Sequence, residues 1–132
     1  MKKERPSVDE WLREAKAEAD AAGCGMYLIH NGTVRRSARA QVREGAEGTK
    51  PVCGMRFSYD AEKVAAVTAE ARALPGIGCV RVWLNEGELS LGDDIMLVLV
   101  GGDIRPRVID ALQYLVGRIK NECVSERELY AE

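Results

Sequence analysis

Histidine is almost missing from this chain: among 132 residues there is one, His30. The four cysteines, Cys24, Cys53, Cys79 and Cys123, are widely and irregularly spaced, with no C-x-x-C pair. A structural zinc ion needs several N or S ligands at short, regular spacing, so no metal site is expected. No apolar run approaches the ~18 residues that a membrane span requires. The opening MKKERPSVDEW is charged and leads into no apolar stretch, so no secretory leader is expected. Neither sign of charge is in excess: 19 Lys and Arg stand against 21 Asp and Glu, for a net charge of -2. That balance excludes the broad basic face of a general nucleic-acid binder, though it leaves room for a local basic pocket. The expected setting is the cytoplasm, with thiols reduced and each cysteine acting as a small buried hydrophobe. Internal repeats and low-complexity segments are absent from the sequence.

What is present suits one folded domain over residues 1–132. Apolar residues make up 46% of the chain, enough for a real core. Ser7 and Glu10 form an S-x-x-E capping box, which predicts a helix over about 7–22 with Trp11, Leu12, Ala15 and Ala19 on its apolar stripe. Met26 to His30 reads as a strand, and Asn31-Gly32 as a turn. Arg35 to Lys50 is polar and reads as a loop or irregular hairpin. Val52 to Tyr59 reads as a strand, and Asp60 as the cap of a helix that Pro75-Gly76 stops.

Gly78 to Leu84 reads as a further strand, followed by turns at 85–88 and 92–94. Ile95 to Val100 is apolar throughout, so that strand is expected to be covered on both faces and broken by Gly101-Gly102. Asp103 and Pro106 suit the start of a last helix reaching about Lys120, with Val108, Leu112, Leu115, Val116 and Ile119 inward. Residues 25–122 then form the core region and 123–132 a charged tail. The order α-β-β-α-β-β-α predicts an α+β fold, helices packed on a mainly antiparallel sheet.

Four segments, in order, resemble the large-subunit family of molybdopterin synthase, MoaE. GMYLIHNGTVR is similar to its early strand and G-x-V-R turn. The helix over 61–73 with the strand after it resembles its central pair. NEGELSLGDDIMLVLV is similar to its hairpin and apolar strand. Arg105 and Lys120 stand where the family has an arginine and a lysine at the ends of its last helix. The chain departs from the pattern at Ile104, at Leu84-Asn85 and over Val124 to Arg127.

The resemblance implies the MoaE-like α/β hammerhead fold and an activity. The family transfers sulfur from the thiocarboxylate of a small ubiquitin-like carrier, MoaD, to a cyclic pyranopterin monophosphate. A homodimer with a carrier at each end, a heterotetramer, is implied, with no bound cofactor. Lys120 would serve as nucleophile or proton carrier, and Arg127 as electrostatic support in place of a second lysine. Arg105 and Arg35 would grip phosphate through planar guanidinium forks. Gly101 and Gly102 would let the carrier's Gly-Gly tail approach closely.

Plainer readings stand beside these. Lys120 and Arg118 suit the last turn of a helix on electrostatic grounds alone. Arg105 could pair with Asp103, and Arg35, Arg36, Arg39 and Arg43 could be a solvated loop. His30 could pack or hydrogen-bond at a strand end, and Gly101-Gly102 could be only a turn. The departures also leave open a binding module that docks a Gly-Gly-ended protein without turnover, or an unrelated α+β oligomerisation domain.

Overall fold

The computed structural model describes residues 3–36 and 51–130. Helix α1 spans Val8–Lys16; the Ser7 hydroxyl accepts from the Glu10 N–H at 3.2 Å, as the capping box requires. The helix ends sooner than the composition suggests, and a separate 3-10 turn covers Ala19–Gly23. Strand β1 is Met26–Thr33, so Asn31-Gly32 lies inside the strand and is not the turn its dipeptide signals. A register shift at Gly32/Thr33 absorbs the irregularity. Most of the arginine-rich loop, including Arg39 and Arg43, lies outside the described residues.

Strand β2 is Val52–Tyr59 and helix α2 is Ala61–Arg72. The Asp60 carboxylate caps α2 by accepting from the N–H groups of Glu62 and Lys63 at 3.0 and 3.2 Å. Gly76 closes the segment at φ 81°, a conformation that costs any residue with a Cβ. Strand β3 is Ile77–Leu84, β4 is Gly87–Ser90 and β5 is Asp94–Gly102. Helix α3 is Arg105–Arg118, followed by a π-helical turn, Ile119–Cys123, and strand β6, Val124–Tyr130.

The strands form two antiparallel three-stranded sheets, ordered β1-β5-β3 and β4-β2-β6. The fold is α+β, as expected, but richer in strand. A charged tail becomes β6, because its residues alternate in burial against β2. Strand β4 begins at Gly87, inside the turn expected at 85–88, and Gly101-Gly102 does not break β5 but ends it inside the ladder. Helix α3 takes Ile104, not Asp103, as its N-cap; the Asp103 carboxylate instead accepts from the Ile104 N–H and pairs with Arg107 at 2.8 Å.

Central strand β5 is buried from Ile95 to Gly102, which fits its unbroken apolar run. One face of its sheet meets α1 through Tyr27, Ile29, Cys79 and Leu99 against Trp11, Leu12 and Ala15. The other face, through Met26, Leu28, Val80, Val98 and Val100, packs on Val67 and Ala71 of α2 and Val108, Ala111 and Leu115 of α3. Arg81 pairs with Glu14 of α1 at 2.6 Å and with Glu18, just before the 3-10 turn, at 2.8 Å. Asn85 is buried and hydrogen-bonded through both ends of its amide. Its Oδ1 accepts from the Lys3 and Glu86 N–H groups, and its Nδ2 donates to the Asp94 carbonyl. The cysteines divide: Cys79 and Cys123 are buried as expected, whereas Cys53 is exposed, because it lies on the outer side of β2. No helix among the described residues is long and apolar enough to cross a membrane.

Candidate functional site

A cavity of about 550 Å³ opens where the two sheets meet. Its apolar wall is Val52, Met55, Ile95 and Met96. Its polar wall carries His30 from β1, Arg35 just beyond it, Lys120 from the π-turn, and Glu126 and Glu128 from β6. An apolar floor with a few convergent polar groups is the usual make-up of a small-molecule site.

Each polar group is placed by local chain geometry. The π-turn inserts Lys120 at the junction of α3 and β6, and such turns recur at functional sites. In β6 the pleat decides which side chains face in. Glu126 and Glu128 lie opposite Phe57 and Met55, both buried, whereas Arg127 lies opposite Arg56 on the outer face. Arg56 there pairs with Glu88 at 3.6 Å. Lys120 Nζ lies 3.7 Å from the Glu126 carboxylate, whose side chain is only 14% exposed. Tyr130, at the mouth, donates its hydroxyl to Glu128 at 3.1 Å. Burial holds the His30 imidazole below its ordinary value, and the Lys120 charge pushes it the same way. The wall therefore sets two cations, Arg35 and Lys120, against two carboxylates.

Of the residues singled out from sequence, Lys120 and Arg35 share this cavity. Arg127 does not reach it, because strand alternation turns it outward. Arg105 is exposed at the opposite end of α3, fifteen residues from Lys120. At 1.5 Å per residue that separates them by roughly 22 Å along the helix axis. The alternative pairing of Arg105 with Asp103 is displaced by Arg107. Gly101 and Gly102 are buried packing positions at the far end of β5 from Ile95 and Met96. A Cβ on Gly101 would stand 2.6 Å from the Tyr27 ring, and one on Gly102 would stand 2.7 Å from the Gly76 carbonyl oxygen. Arg118 ties α3 to α2 by pairing with Glu70 at 3.0 Å, and it also pairs with Glu122.

The site also contains residues that motif reading passes over: His30, Glu126, Glu128 and Tyr130. The signal for three of them was the period-two pattern of the tail.

Comparison with known proteins fits this architecture. The model of the MoaE protein family matches residues 1–122. The chain belongs to the MoaE family. Family membership assigns it an enzyme-type role in molybdenum cofactor biosynthesis. Molybdopterin synthase from Staphylococcus aureus is similar in fold, at 19% identity and a TM-score of 0.72, over 97% of this chain and 88% of that one. The MoaE protein of Burkholderia ambifaria is 18% identical, with a TM-score of 0.69 over 97% of this chain and 82% of that one. A complex of subunits 1 and 2 of molybdopterin-converting factor from Helicobacter pylori gives 16% identity and a TM-score of 0.64, covering 96% and 85% of the two chains. No curated protein matches.

Proposed function

We propose that this chain is a molybdopterin synthase large subunit that moves sulfur from a thiocarboxylated ubiquitin-like carrier to cyclic pyranopterin monophosphate. The observation that carries the reading is the cavity in which Lys120, Arg35 and His30 meet over a wall of Val52, Met55, Ile95 and Met96. That apolar wall suits a planar ring system. The Arg35 guanidinium suits an anionic group on the same molecule. The Lys120 side chain, on the second residue of the π-turn, is placed to meet the reacting carbons. The carrier partner is supported by the H. pylori relative, whose structure is described as a complex of two subunits. The setting proposed is the cytoplasm.

The second phosphate-gripping arginine, Arg105, cannot serve the cavity of its own chain. We place it in the cavity of a second copy, in a homodimer, and the exposure of Ile104 (53%) and Arg105 at the start of α3 supports that use. Reconstitution with thiocarboxylated carrier and the pterin tests the reading. Dithiolene product that is lost in Lys120→Ala supports it; equal activity in that variant rejects the site.

One observation favours a second reading, in which the chain docks a Gly-Gly-ended carrier without turnover. Two carboxylates, Glu126 and Glu128, face the cavity, and Arg127 does not. Carrier binding with no product would decide for that reading.

A further inference from the structure

We propose that His30 is the proton acceptor of this cavity, working beside Lys120. The bond it serves rests on the sulfur-transfer reading above; the pairing of groups rests on the cavity itself.

Strand β1 sends alternate side chains to opposite faces. Tyr27 and Ile29 pack toward α1, while Met26 and Leu28 pack toward the main core. His30 continues the Met26–Leu28 row to where the core opens into the cavity. A Cβ built on Gly32 would stand 3.8 Å from its Nε2, which places that nitrogen beside another lining residue.

The charged and titratable neighbours around the cavity are Arg35 after β1, Lys120 on the π-turn, and Glu126, Glu128 and Tyr130 on β6. Strand β5 contributes only apolar groups here, Val98 opposite His30 and Met96 in the wall. The carboxylates have other work: Glu126 faces Lys120 at 3.7 Å, and Glu128 accepts from Tyr130 at 3.1 Å. His30 is left as the neutral base. Burial and the Lys120 charge both favour its uncharged form, so at neutral pH one ring nitrogen offers a lone pair. General-base chemistry near neutrality needs such a group.

The step that needs it follows from the sulfur chemistry. When the carrier's thiocarboxylate sulfur displaces an oxygen substituent from a pterin carbon, that oxygen leaving with the bonding electron pair, the carrier's acyl carbon stays attached through the sulfur, as a thioester. Release requires water. The water oxygen bonds to the acyl carbon, and the water proton passes to the His30 imidazole. The acyl C–S bond then breaks, and its electron pair stays on sulfur as a pterin thiolate. The new carboxylic acid loses its remaining proton to solvent. No oxidant or reductant is consumed. Lys120 stands on the same wall, where its positive charge offsets the negative charge that develops.

His30 is the single histidine of the chain, so its titration can be followed by NMR without assignment ambiguity. Wild type and Lys120→Met are titrated first. The expected result is a histidine that titrates below its ordinary value in wild type and moves upward when the ammonium is removed. Single-turnover reactions with thiocarboxylated carrier and the pterin are then run across pH for wild type, His30→Gln and His30→Phe; the second variant keeps an aromatic ring in the packing. Both variants should release product roughly 100-fold or more slowly. The carrier–pterin thioester should accumulate and be seen by mass spectrometry. The acidic limb of the wild-type profile should fall at the value found by NMR and vanish in the variants.

Variants that release product at the wild-type rate, or keep that limb, overturn the proposal. So does a His30 titration that Lys120→Met leaves unmoved. A wild type that forms neither thioester nor product overturns the sulfur-transfer reading and this step with it. A wild type that turns over while the His30 variants match it overturns the proton acceptor alone.

Discussion

Gly102 and Gly117 give the same chemical change, Gly→Ala, with opposite expected signs. Gly102 ends β5, where the sheet meets the start of α3. A Cβ there would stand 2.7 Å from the Gly76 carbonyl oxygen, 2.8 Å from Val108 Cγ2 and 3.1 Å from Ile77 Cδ1. The first of these atoms is backbone, and it already accepts the Asp103 N–H at 2.9 Å. No rotamer change relieves that clash, so the strand or the turn must move. Overpacking of this kind costs about 1–3 kcal/mol. Gly117 lies within α3, where an added Cβ meets nothing within 4 Å. There alanine removes backbone freedom from the unfolded chain and gains about 0.5–1 kcal/mol. Urea unfolding with a common m-value measures both. In thermal melts the shift should be roughly 3–5 °C per kcal/mol for a chain of this size. If Gly102→Ala melts with wild type, Gly102 is not a packing position.

Arg127→Ala should leave turnover within about twofold, because an exposed group on the outer strand face carries little energy, whereas Lys120→Ala should lower it about 100-fold or more in the reconstituted assay. Asp60→Ala removes a cap that holds two N–H groups and should cost about 0.5–2 kcal/mol by urea unfolding. His30 binds its proton less readily when folded than its ordinary value of about 6.5 in the unfolded chain. Between those two values the unfolded state holds more protons, so stability rises with pH across that window and falls on acidification until the folded value is passed. His30→Phe should flatten this part of the stability profile. Iodoacetamide should modify exposed Cys53 first, and buried Cys79 and Cys123, whose thiols burial pushes up, only on unfolding.

Local signals with one physical meaning were readable in the sequence. The Ser7 and Asp60 caps, the stop at Pro75-Gly76, and the doubly covered strand from Ile95 all follow from nearby residues alone. Signals that depend on a distant partner were not. Asn31-Gly32 has turn chemistry, but pairing with Met96 and Leu97 of β5 keeps it extended. The residues after Cys123 look like a solvated tail until β2 pairs with them and separates Glu126 from Arg127. The same limit governed the site. Lys120 and Arg35 could be nominated by resemblance and do meet. Arg105 could not be placed, because helix length alone carries it away from Lys120, and a linear sequence does not record the second copy proposed to bring it back. His30 carried no motif, since its surroundings come from three separated stretches of chain.

Whether this protein transfers sulfur is decided by a single-turnover reaction. Thiocarboxylated carrier, cyclic pyranopterin monophosphate and this protein are mixed, and dithiolene is followed with wild type and Lys120→Ala. Wild type should give product and the variant almost none. Carrier bound by wild type with no sulfur passed on would contradict the sulfur-transfer reading.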